Sequence, residues 1–348
     1  MRRISIAGRE IGEGCAPFII AEVGLNHNGE LTKALEMIEV AKRAGVDAVK
    51  FQTFRAEEFV GDPAMTFTYR SAGRTVTESM LEMFRRYELK REDWGVIRRH
   101  CDQQGILFMS TPQNRSDLDL LLEVGIPAVK VGSDDFTNLP LLASYARTKL
   151  PMIVSCGMSN LGEVHHALEA VGTLDGYPTV LLVCTSQYPT PPEDANVLRI
   201  RALREAYPDL PIGYSDHTQG STASTLAVGL GAAVFEKHFT LDQALPGPDH
   251  WFSETPASLE EWASSIRRAH AMLGSPVVRP TRKELENKKE FQRVIVAGQD
   301  IAGGEAFTPE NLVMRRMPGG VGLAPKIASV LLGRRSRRSY RKGEIIEI

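Results

Sequence analysis

Long apolar runs, net charge and paired cysteines are all scarce in this chain of 348 residues. No apolar stretch approaches the roughly 20 residues that a membrane-spanning helix needs, and the first residues lack the apolar centre of a signal peptide. The formal net charge of -2 gives no reason to expect a nucleic-acid or membrane partner. Four cysteines without CxxC spacing indicate reduced thiols rather than a disulfide or zinc framework. We therefore expect a cytoplasmic protein.

Short apolar runs are present instead, and they alternate with helical patterns. The predicted strands are Phe18–Val23, Val46–Phe51, Ile106–Met109, Ala128–Val131, Met152–Ser155, Val180–Cys184, Ile212–Tyr214 and Ala233–Glu236. The clearest predicted helices are Asp117–Val124, Leu139–Thr148, Leu161–Val171, Val197–Ala206 and Thr222–Leu230. Eight such units in about 260 residues predict an α/β fold of the (β/α)8 TIM-barrel type.

Three further segments frame this barrel. Residues 3–13 alternate around a glycine and predict a hairpin at the barrel bottom. Residues 53–76 form a polar excursion that we expect to be a long functional loop. Thr75 with Glu78, and Ser258 with Glu261, fit capping boxes at two helix starts.

Composition shifts near residue 280, where proline, glycine and then charged residues accumulate. We therefore predict a catalytic barrel with its hairpin over 1–280, a helical linker over 281–292 and a small β-rich domain over 293–348. A domain of about 55 residues is marginally stable alone, so the domain over 293–348 is expected to pack against a barrel, its own or a partner's.

Five ionisable residues stand at or just after the ends of the apolar runs. They are Glu22, Lys50, Lys130, His217 and His238. In a parallel barrel the carboxyl ends of the strands share one face, and that face carries the active site. These side chains are therefore expected to converge on one pocket, whose composition suits an anionic substrate and a divalent metal.

The two histidines lie 21 positions apart, about one strand–helix unit. Imidazoles on neighbouring strand ends can share a divalent ion, so His217 and His238 are the predicted metal ligands. Two protein ligands leave positions for water and substrate, as catalytic sites require. The alternative is a pair of neutral, hydrogen-bonded histidines.

Lys50 and Lys130 end strands that are expected to be buried, so each needs a partner. That partner is a substrate phosphate or carboxylate, unless one lysine is a Schiff-base nucleophile or pairs with Glu22 or Glu236. Hydroxyl residues at strand ends can cradle a phosphate; they are Thr111, Ser133, Ser155, Ser186 and Ser215.

Polar side chains suited to a polyol complete the set. Gln52, Asp135 and Asp249 can orient hydroxyl groups or, like Glu22, transfer protons, and the ring of Tyr188 can pack on a sugar. For Asp249 the alternative is an ordinary loop position.

Six ordered motifs resemble the sialic acid synthase family. They are Ala21–Gly29, Val49–Thr53, Lys130–Ser133, Cys184–Thr190, Tyr214–Thr218 and Glu236–Thr240. The likeness runs over nearly the whole chain, and the tail resembles the antifreeze-like (SAF) domain of that family. The resemblance implies a metal-dependent condensation of phosphoenolpyruvate with an open-chain N-acylmannosamine-type sugar. Phosphate is released, and a nine-carbon 2-keto acid of the neuraminate or legionaminate class forms.

The resemblance also implies roles. Manganese or magnesium would be bound by His217 and His238, and Glu22 would transfer protons during the reaction. Phosphoenolpyruvate would meet Lys50, Thr111, Lys130, Ser133, Ser155, Ser186 and Ser215; the sugar would meet Gln52, Asp135, Tyr188 and Asp249. An arginine from the tail of one subunit would reach the sugar in the other, which implies a domain-swapped homodimer. Arg316 is the first choice for it and Arg315 the second, because Met317 stands where the family has arginine.

Overall fold

Residues 3–347 are described by a computed structural model, in which the chain divides after Gly274 into two compact units. Within the described residues every helix is too short or too polar to cross a bilayer.

The first unit contains a strand and helix alternation. Its strands are β1 (Ile4–Ile6), β2 (Arg9–Ile11), β3 (Phe18–Gly24), β4 (Ala48–Thr53), β5 (Thr66–Ser71), β6 (Arg74–Ser79), β7 (Leu107–Pro112), β8 (Val129–Val131), β9 (Met152–Ser155), β10 (Thr179–Cys184), β11 (Ile212–Ser215) and β12 (Val234–His238). Its α-helices are α1 (Leu31–Arg43), α2 (Ala56–Phe59), α3 (Met80–Tyr87), α4 (Arg91–Gln104), α5 (Arg115–Val124), α6 (Leu139–Ala146), α7 (Leu161–Val171), α8 (Arg199–Ala206), α9 (Thr222–Gly229) and α10 (Pro256–Leu273). Short 3-10 helices lie at Thr173–Asp175, Pro192–Asp194 and His250–Phe252.

Eight parallel strands form the sheet, in the order β7-β4-β3-β12-β11-β10-β9-β8. The two end strands, β7 and β8, also lie close together, so the sheet is a nearly closed barrel ringed by helices. This confirms the predicted TIM-barrel class, and the predicted strand and helix bounds differ from the observed ones by at most three residues.

The barrel interior is filled by apolar side chains, as expected for this architecture. Ile4, Ile6 and Ile11 of the β1–β2 hairpin share one buried cluster with Phe18 and Ile20 of β3. The hairpin therefore seals the barrel at the amino ends of its strands, as predicted, and leaves the carboxyl ends open for chemistry.

The helices begin and end at residues that supply hydrogen bonds or backbone conformations suited to helix ends. Capping boxes at Asn114 and Asn160 open α5 and α7, and left-handed Gly125 and Gly172 end them. Both predicted capping boxes are wrong. Thr75 lies within β6, because the segment pairs as a strand and Ser79 caps α3 instead. The α10 helix starts earlier, with a box formed by Thr255 and Ser258.

The predicted polar excursion contains a second hairpin, β5–β6. Its alternation places Phe67 and Tyr69 two positions apart, with stacked rings 5.6 Å between centroids. Phe54, Phe59 and Phe84 pack edge-on nearby, the last two at 4.9 Å. The excursion is therefore an ordered aromatic structure rather than a plain loop.

The second unit is small and rich in turns. It contains α11 (Arg282–Phe291), β13 (Val294–Ala297), β14 (Leu312–Arg315) and α12 (Ala328–Leu331), with 3-10 helices at Pro318–Gly320 and Pro325–Ile327. The antiparallel pair β13–β14 covers a core of Ile295, Phe307, Tyr340 and Ile346 among others. The predicted linker segment is a helix, α11, without a buried residue.

Candidate active site

A cavity of about 440 Å³ opens at the carboxyl ends of the barrel strands. It is lined by thirteen of the residues chosen from the sequence: Glu22, Lys50, Gln52, Thr111, Lys130, Ser133, Ser155, Ser186, Tyr188, Ser215, His217, His238 and Asp249. A larger cleft of about 700 Å³ lies near Ile4, Tyr177 and Tyr207, around the amino ends of β10 and β11. We assign the chemistry to the smaller cavity, since only it gathers the lysines and histidines.

The cavity floor is a buried chain of alternating charges. Lys50 Nζ lies 2.6 Å from Glu22 Oε2 and 3.7 Å from Glu236 Oε2, while Lys130 Nζ lies 3.6 Å from Glu236 Oε1. The two ammonium groups donate to Thr111 Oγ1 at 3.2 Å and to Ser155 Oγ at 2.8 Å, respectively. A buried side chain stays charged only when it is paired with an opposite charge, so the carboxylates keep both lysines in their charged form.

Protonation on this floor is set by burial and by the neighbouring charges. Burial raises the pKa of Glu22 to about 7, although the Lys50 ammonium opposes the rise. Burial also pushes the pKa of Glu236 upward, but Lys130 and Lys50 outweigh it and leave that pKa below its usual value. The pKa of Lys130 is lowered by burial. Glu22 is therefore the floor carboxyl poised to exchange a proton near neutral pH.

A hydroxyl cradle surrounds Gly157, the second residue after β9. Ser133 Oγ accepts a hydrogen bond from the Gly157 backbone N–H at 3.0 Å, and Ser186 Oγ is buried without a partner. A Cβ at Gly157 would come within 2.5 Å of Ser186 Oγ and 2.6 Å of Ser133 Oγ. A side chain at this position would displace both hydroxyls, so glycine lets them stay together, and the unpartnered Ser186 hydroxyl can donate to an anionic oxygen.

His217 and His238 lie on neighbouring strand ends, with ring centroids 5.5 Å apart. His217 Nδ1–H donates to the Thr185 carbonyl at 2.8 Å, so in the neutral form of this ring Nε2 carries the lone pair. Burial lowers the pKa of His217, but the neighbouring Cys184 outweighs it and leaves that pKa above its usual value. His238 Nδ1 is buried, has no hydrogen-bond partner and lies 3.8 Å from Asp249 Oδ2. Burial, then the charges of His217 and Lys50, hold the pKa of His238 well below its usual value.

These features fit a divalent metal. Both imidazoles offer a ring nitrogen, one is oriented by a backbone carbonyl as metal-bound histidines usually are, and the other is neutral. Within residues 3–347 no group of three or more histidine, cysteine or carboxylate side chains is arranged around one metal position. Two protein ligands would leave the remaining positions to water and substrate.

A second buried ion network lies directly behind the histidines. Lys237 Nζ is 3.2 Å from Asp216 Oδ2 and 3.6 Å from Glu254 Oε1, and it donates to the Thr218 carbonyl. Asp216 also accepts from Ser224 Oγ at 2.6 Å. Because Asp216 precedes His217 and Lys237 precedes His238, this ion pair links the two strand ends that carry the rings.

Replacing Lys237 with methionine is expected to lower both stability and metal affinity. The change leaves Asp216 and Glu254 buried without their cation, which costs about 3–5 kcal/mol for a buried pair. Thermal unfolding and Mn²⁺ titration measure the two effects. Lys33→Met is the matched control, because Lys33 pairs with Glu30 at the surface and contributes at most about 1 kcal/mol. Equal behaviour of the two variants would show that the network does not hold the histidines.

Two expected site residues are not in the cavity wall. Asp135 accepts a hydrogen bond from Asn138 Nδ2 at 3.0 Å, and its neighbour Asp134 lines the cavity in its place. Asp135 does not line the cavity, because the turn after β8 places the other carboxylate there, and its role in binding the sugar stays a prediction. Arg316 belongs to the second unit, where Nε donates to the Phe291 carbonyl at 3.1 Å.

Sequence reasoning also missed residues of this site. Glu236 appeared only as an alternative lysine partner, yet it bridges both lysines and accepts from Ser215 Oγ at 2.9 Å. The signal was available, since Glu236 and His238 alternate on one strand and share its inward face. The aromatic residues that reach the cavity from α2, α3 and β5 had no comparable signal.

A barrel whose strand ends gather buried lysines, a hydroxyl cradle and two histidines defines an α/β-barrel enzyme for a small anionic substrate. Comparison with known families is more specific. The NeuB family matches residues 37–278, and the SAF domain matches residues 292–347. The chain belongs to the NeuB family, which confirms the resemblance drawn from its motifs.

Relatives of known name share most of their length with this chain. The N,N'-diacetyllegionaminic acid synthase of Legionella pneumophila is 40% identical over 93% of this chain and 91% of its own. The N-acetylneuraminate-9-phosphate synthase of Homo sapiens is 35% identical over 88% and 85%, respectively. The N-acetylneuraminic acid synthetase of Leptospira borgpetersenii, solved with citrate, superposes with a TM-score of 0.74 at 32% identity, covering 82% of this chain and 95% of that one.

Proposed function

We propose that this protein condenses phosphoenolpyruvate with the open-chain aldehyde of an N-acylmannosamine-type sugar. The products are inorganic phosphate and a nine-carbon 2-keto acid, so the enzyme is a transferase of the sialic acid synthase type (EC 2.5.1). The observation that carries the proposal is the pairing of a buried two-lysine floor and hydroxyl cradle with two adjacent histidines in one cavity. The names of the relatives support the same reaction.

Two groups of residues bind the two anionic ends of phosphoenolpyruvate. Lys130 with the cradle of Ser133, Ser155 and Ser186 receives one anionic end of phosphoenolpyruvate. Lys50 with Thr111 receives the other, and Ser215 holds Glu236 between the two lysines. Lysine is a good point charge for phosphate and carboxylate. Ordering both ends fixes the enol carbon within about 3–3.5 Å of the aldehyde, as attack by a weak nucleophile demands.

The chemistry then forms two bonds, one carbon–carbon and one between C2 and a water oxygen, and breaks the bond between C2 and the phosphate oxygen. The C3 carbon of phosphoenolpyruvate attacks the aldehyde carbon, and water adds to C2 while Glu22 accepts one of its protons. The former aldehyde oxygen takes up one proton and becomes a hydroxyl of the product. The resulting tetrahedral centre collapses to the ketone and expels phosphate with C–O cleavage. His217 and His238 would hold Mn²⁺ or Mg²⁺, which when bound supplies Lewis acidity at the aldehyde oxygen. Gln52, Tyr188 and Asp249 stand at the cavity wall to hold the sugar.

Phosphate release from phosphoenolpyruvate tests this function. The full chain with Mn²⁺ is expected to release phosphate only when an N-acylmannosamine-type sugar is added, and a chelator is expected to stop it. A Schiff-base aldolase acting through Lys50 or Lys130 would instead be trapped by borohydride with pyruvate and would ignore the chelator. That pattern would overturn the proposal. We place the reaction in the cytoplasm, where phosphoenolpyruvate is formed.

We also propose that the protein works as a domain-swapped homodimer in which Arg316 reaches the sugar bound by a partner subunit. The support is the family resemblance of the second unit, which contains Arg316 at its surface. A charged hydrogen-bond donor to a sugar contributes about 1.5–3 kcal/mol.

Replacing Arg316 with alanine is accordingly expected to raise the KM for the sugar about 10- to 100-fold, with little change in the KM for phosphoenolpyruvate. Arg315→Ala is the matched control, because the neighbouring arginine lies at the end of β14. Steady-state kinetics with either substrate varied measures both effects. A larger loss in Arg315→Ala would transfer the role to that residue, and no loss in either would remove the case for a trans arginine.

A further inference from the structure

Four aromatic rings pack together where the two histidines stand. The centroid of the Tyr188 ring lies 4.2 Å from that of His217, and the centroid of the Phe252 ring lies 5.5 Å from that of His238, at an interplanar angle of 71°. The rings of Tyr188 and Phe252 are 5.3 Å apart. Tyr188 lines the cavity, whereas Phe252 is buried outside the cavity lining. Any effect of Phe252 on the chemistry is therefore transmitted by the rings that it contacts.

The two histidines are oriented in different ways. A metal-bound imidazole is usually held by a hydrogen bond from its second ring nitrogen. His217 has such a bond, to the Thr185 carbonyl, but within residues 3–347 the buried Nδ1 of His238 has no hydrogen-bond partner. The carboxylate of Asp249 stays 3.8 Å from that nitrogen, beyond hydrogen-bond distance. The orientation of His238 therefore depends on ring packing, with Phe252 edge-on at one side.

Phe252 is in turn attached to the β5–β6 hairpin. The rings of Phe252 and Trp251 are 5.7 Å apart and nearly perpendicular, at 89°. The guanidinium carbon of Arg70, on β5, lies 4.9 Å from the centroid of the Trp251 ring, within the range of a cation–π interaction. The next residue of the strand, Ser71, accepts a hydrogen bond from the Gly247 N–H at 2.9 Å. Two consecutive residues of β5 therefore hold the segment from Gly247 to Phe252.

We propose that Phe252 is a positioning residue for metal binding by His238, and that Arg70 supports it from the hairpin through Trp251. The inference rests on the proposed function, in which His217 and His238 hold the divalent metal. Both imidazoles must direct a nitrogen at the same point. A His238 ring that turned freely would have to be ordered when the metal binds, whereas a ring packed against Phe252 is ordered beforehand. Phe252 and Arg70 thus contribute to metal affinity without being ligands.

Replacing Phe252 with leucine keeps an apolar side chain in the core but removes the ring. Phe252→Leu is expected to bind Mn²⁺ about 10- to 100-fold more weakly, as on loss of a residue that orients a ligand. Mn²⁺ titration of the substrate-free protein, followed by electron paramagnetic resonance, measures this affinity. At saturating Mn²⁺, kcat and the KM for phosphoenolpyruvate are expected to return towards the wild-type values. A merely structural role would lower thermal stability and leave Mn²⁺ affinity unchanged, and that result would overturn the inference.

Arg70→Gln tests the contribution of the hairpin without disturbing the core, because Arg70 is exposed. Loss of the cation–π contact with Trp251 is expected to weaken Mn²⁺ binding about 2- to 5-fold, with little change in thermal unfolding. Arg74→Gln is the matched control, since Arg74 is also exposed but lies on β6, and it is expected to keep wild-type affinity. Equal Mn²⁺ affinities in the two arginine variants would overturn the role of Arg70, and this comparison still decides if Phe252→Leu does not fold.

The same measurements separate this inference from the proposed function. If the wild type binds Mn²⁺ and releases phosphate, and Phe252→Leu and Arg70→Gln bind Mn²⁺ as tightly as it does, the inference fails and the proposed function stands. A wild type that neither binds Mn²⁺ nor releases phosphate would overturn both.

Discussion

A His238→Ala variant is expected to lose at least about 10³-fold of its phosphate-release rate while remaining folded. His238 presents a buried, neutral imidazole whose Nδ1 has no hydrogen-bond partner, 5.5 Å from the ring of His217. A metal acting as a Lewis acid supplies several kcal/mol of transition-state stabilisation, and 1.36 kcal/mol corresponds to a tenfold rate change. Removing one of the two proposed protein ligands would forfeit that contribution. His217→Ala is expected to behave in the same way.

Metal affinity is the more direct measurement. Loss of a residue that merely orients a ligand costs about 10- to 100-fold in affinity, so loss of the ligand itself is expected to cost more. Mn²⁺ titration and thermal unfolding are run on His238→Ala and on His166→Ala, whose side chain lies exposed on α7. The control is expected to keep wild-type affinity and turnover. Wild-type turnover by His238→Ala in the presence of a chelator would refute the metal role.

The pairing of the two histidines was predictable because strand register is a local rule. Ser215 of β11 pairs with Glu236 of β12. His217 lies two positions after Ser215, and His238 lies two positions after Glu236. Equal offsets beyond paired residues place the rings side by side, whatever the connecting helix does. The same rule located Lys50 and Lys130, which point inward from strands predicted within three residues of their bounds.

Strand register does not predict which side chains on turns and hairpins line the cavity. Asp134 and Asp135 are adjacent carboxylates, and only the turn after β8 decides which one lines the cavity. The β5–β6 hairpin was interpreted as a polar loop because its threonines and arginines mask the alternation of Phe67 and Tyr69. Tyr69 packs against Leu25, Phe54 and Met83, and the alternation within the hairpin does not by itself predict that contact. The parts of the cavity that are proposed to contact the sugar were therefore the least predictable.

The proposed reaction is expected to depend on pH through Glu22. Its Oε2 lies 2.6 Å from Lys50 Nζ, its Oε1 accepts from Gln52 Nε2 at 3.4 Å, and burial raises its pKa to about 7. Below that pH the carboxyl holds a proton and cannot take another from the attacking water. As the pH rises through about 7 the carboxylate forms, so kcat/KM of the wild type is expected to rise with it.

Glu22→Gln is therefore expected to lower kcat by about 10²- to 10⁴-fold and to abolish the rise of the rate near pH 7. Glutamine keeps the size of the side chain and the contact with Gln52 but cannot accept a proton. The matched variant is Asp249→Asn, because burial raises the pKa of Asp249 as well, to about 6, against the opposing charge of His217. The asparagine variant is expected to retain the limb near pH 7, and a profile of kcat/KM from pH 5 to 9 separates the two. A limb that survives in Glu22→Gln and vanishes in Asp249→Asn would assign the proton transfer to the rim of the cavity instead of its floor.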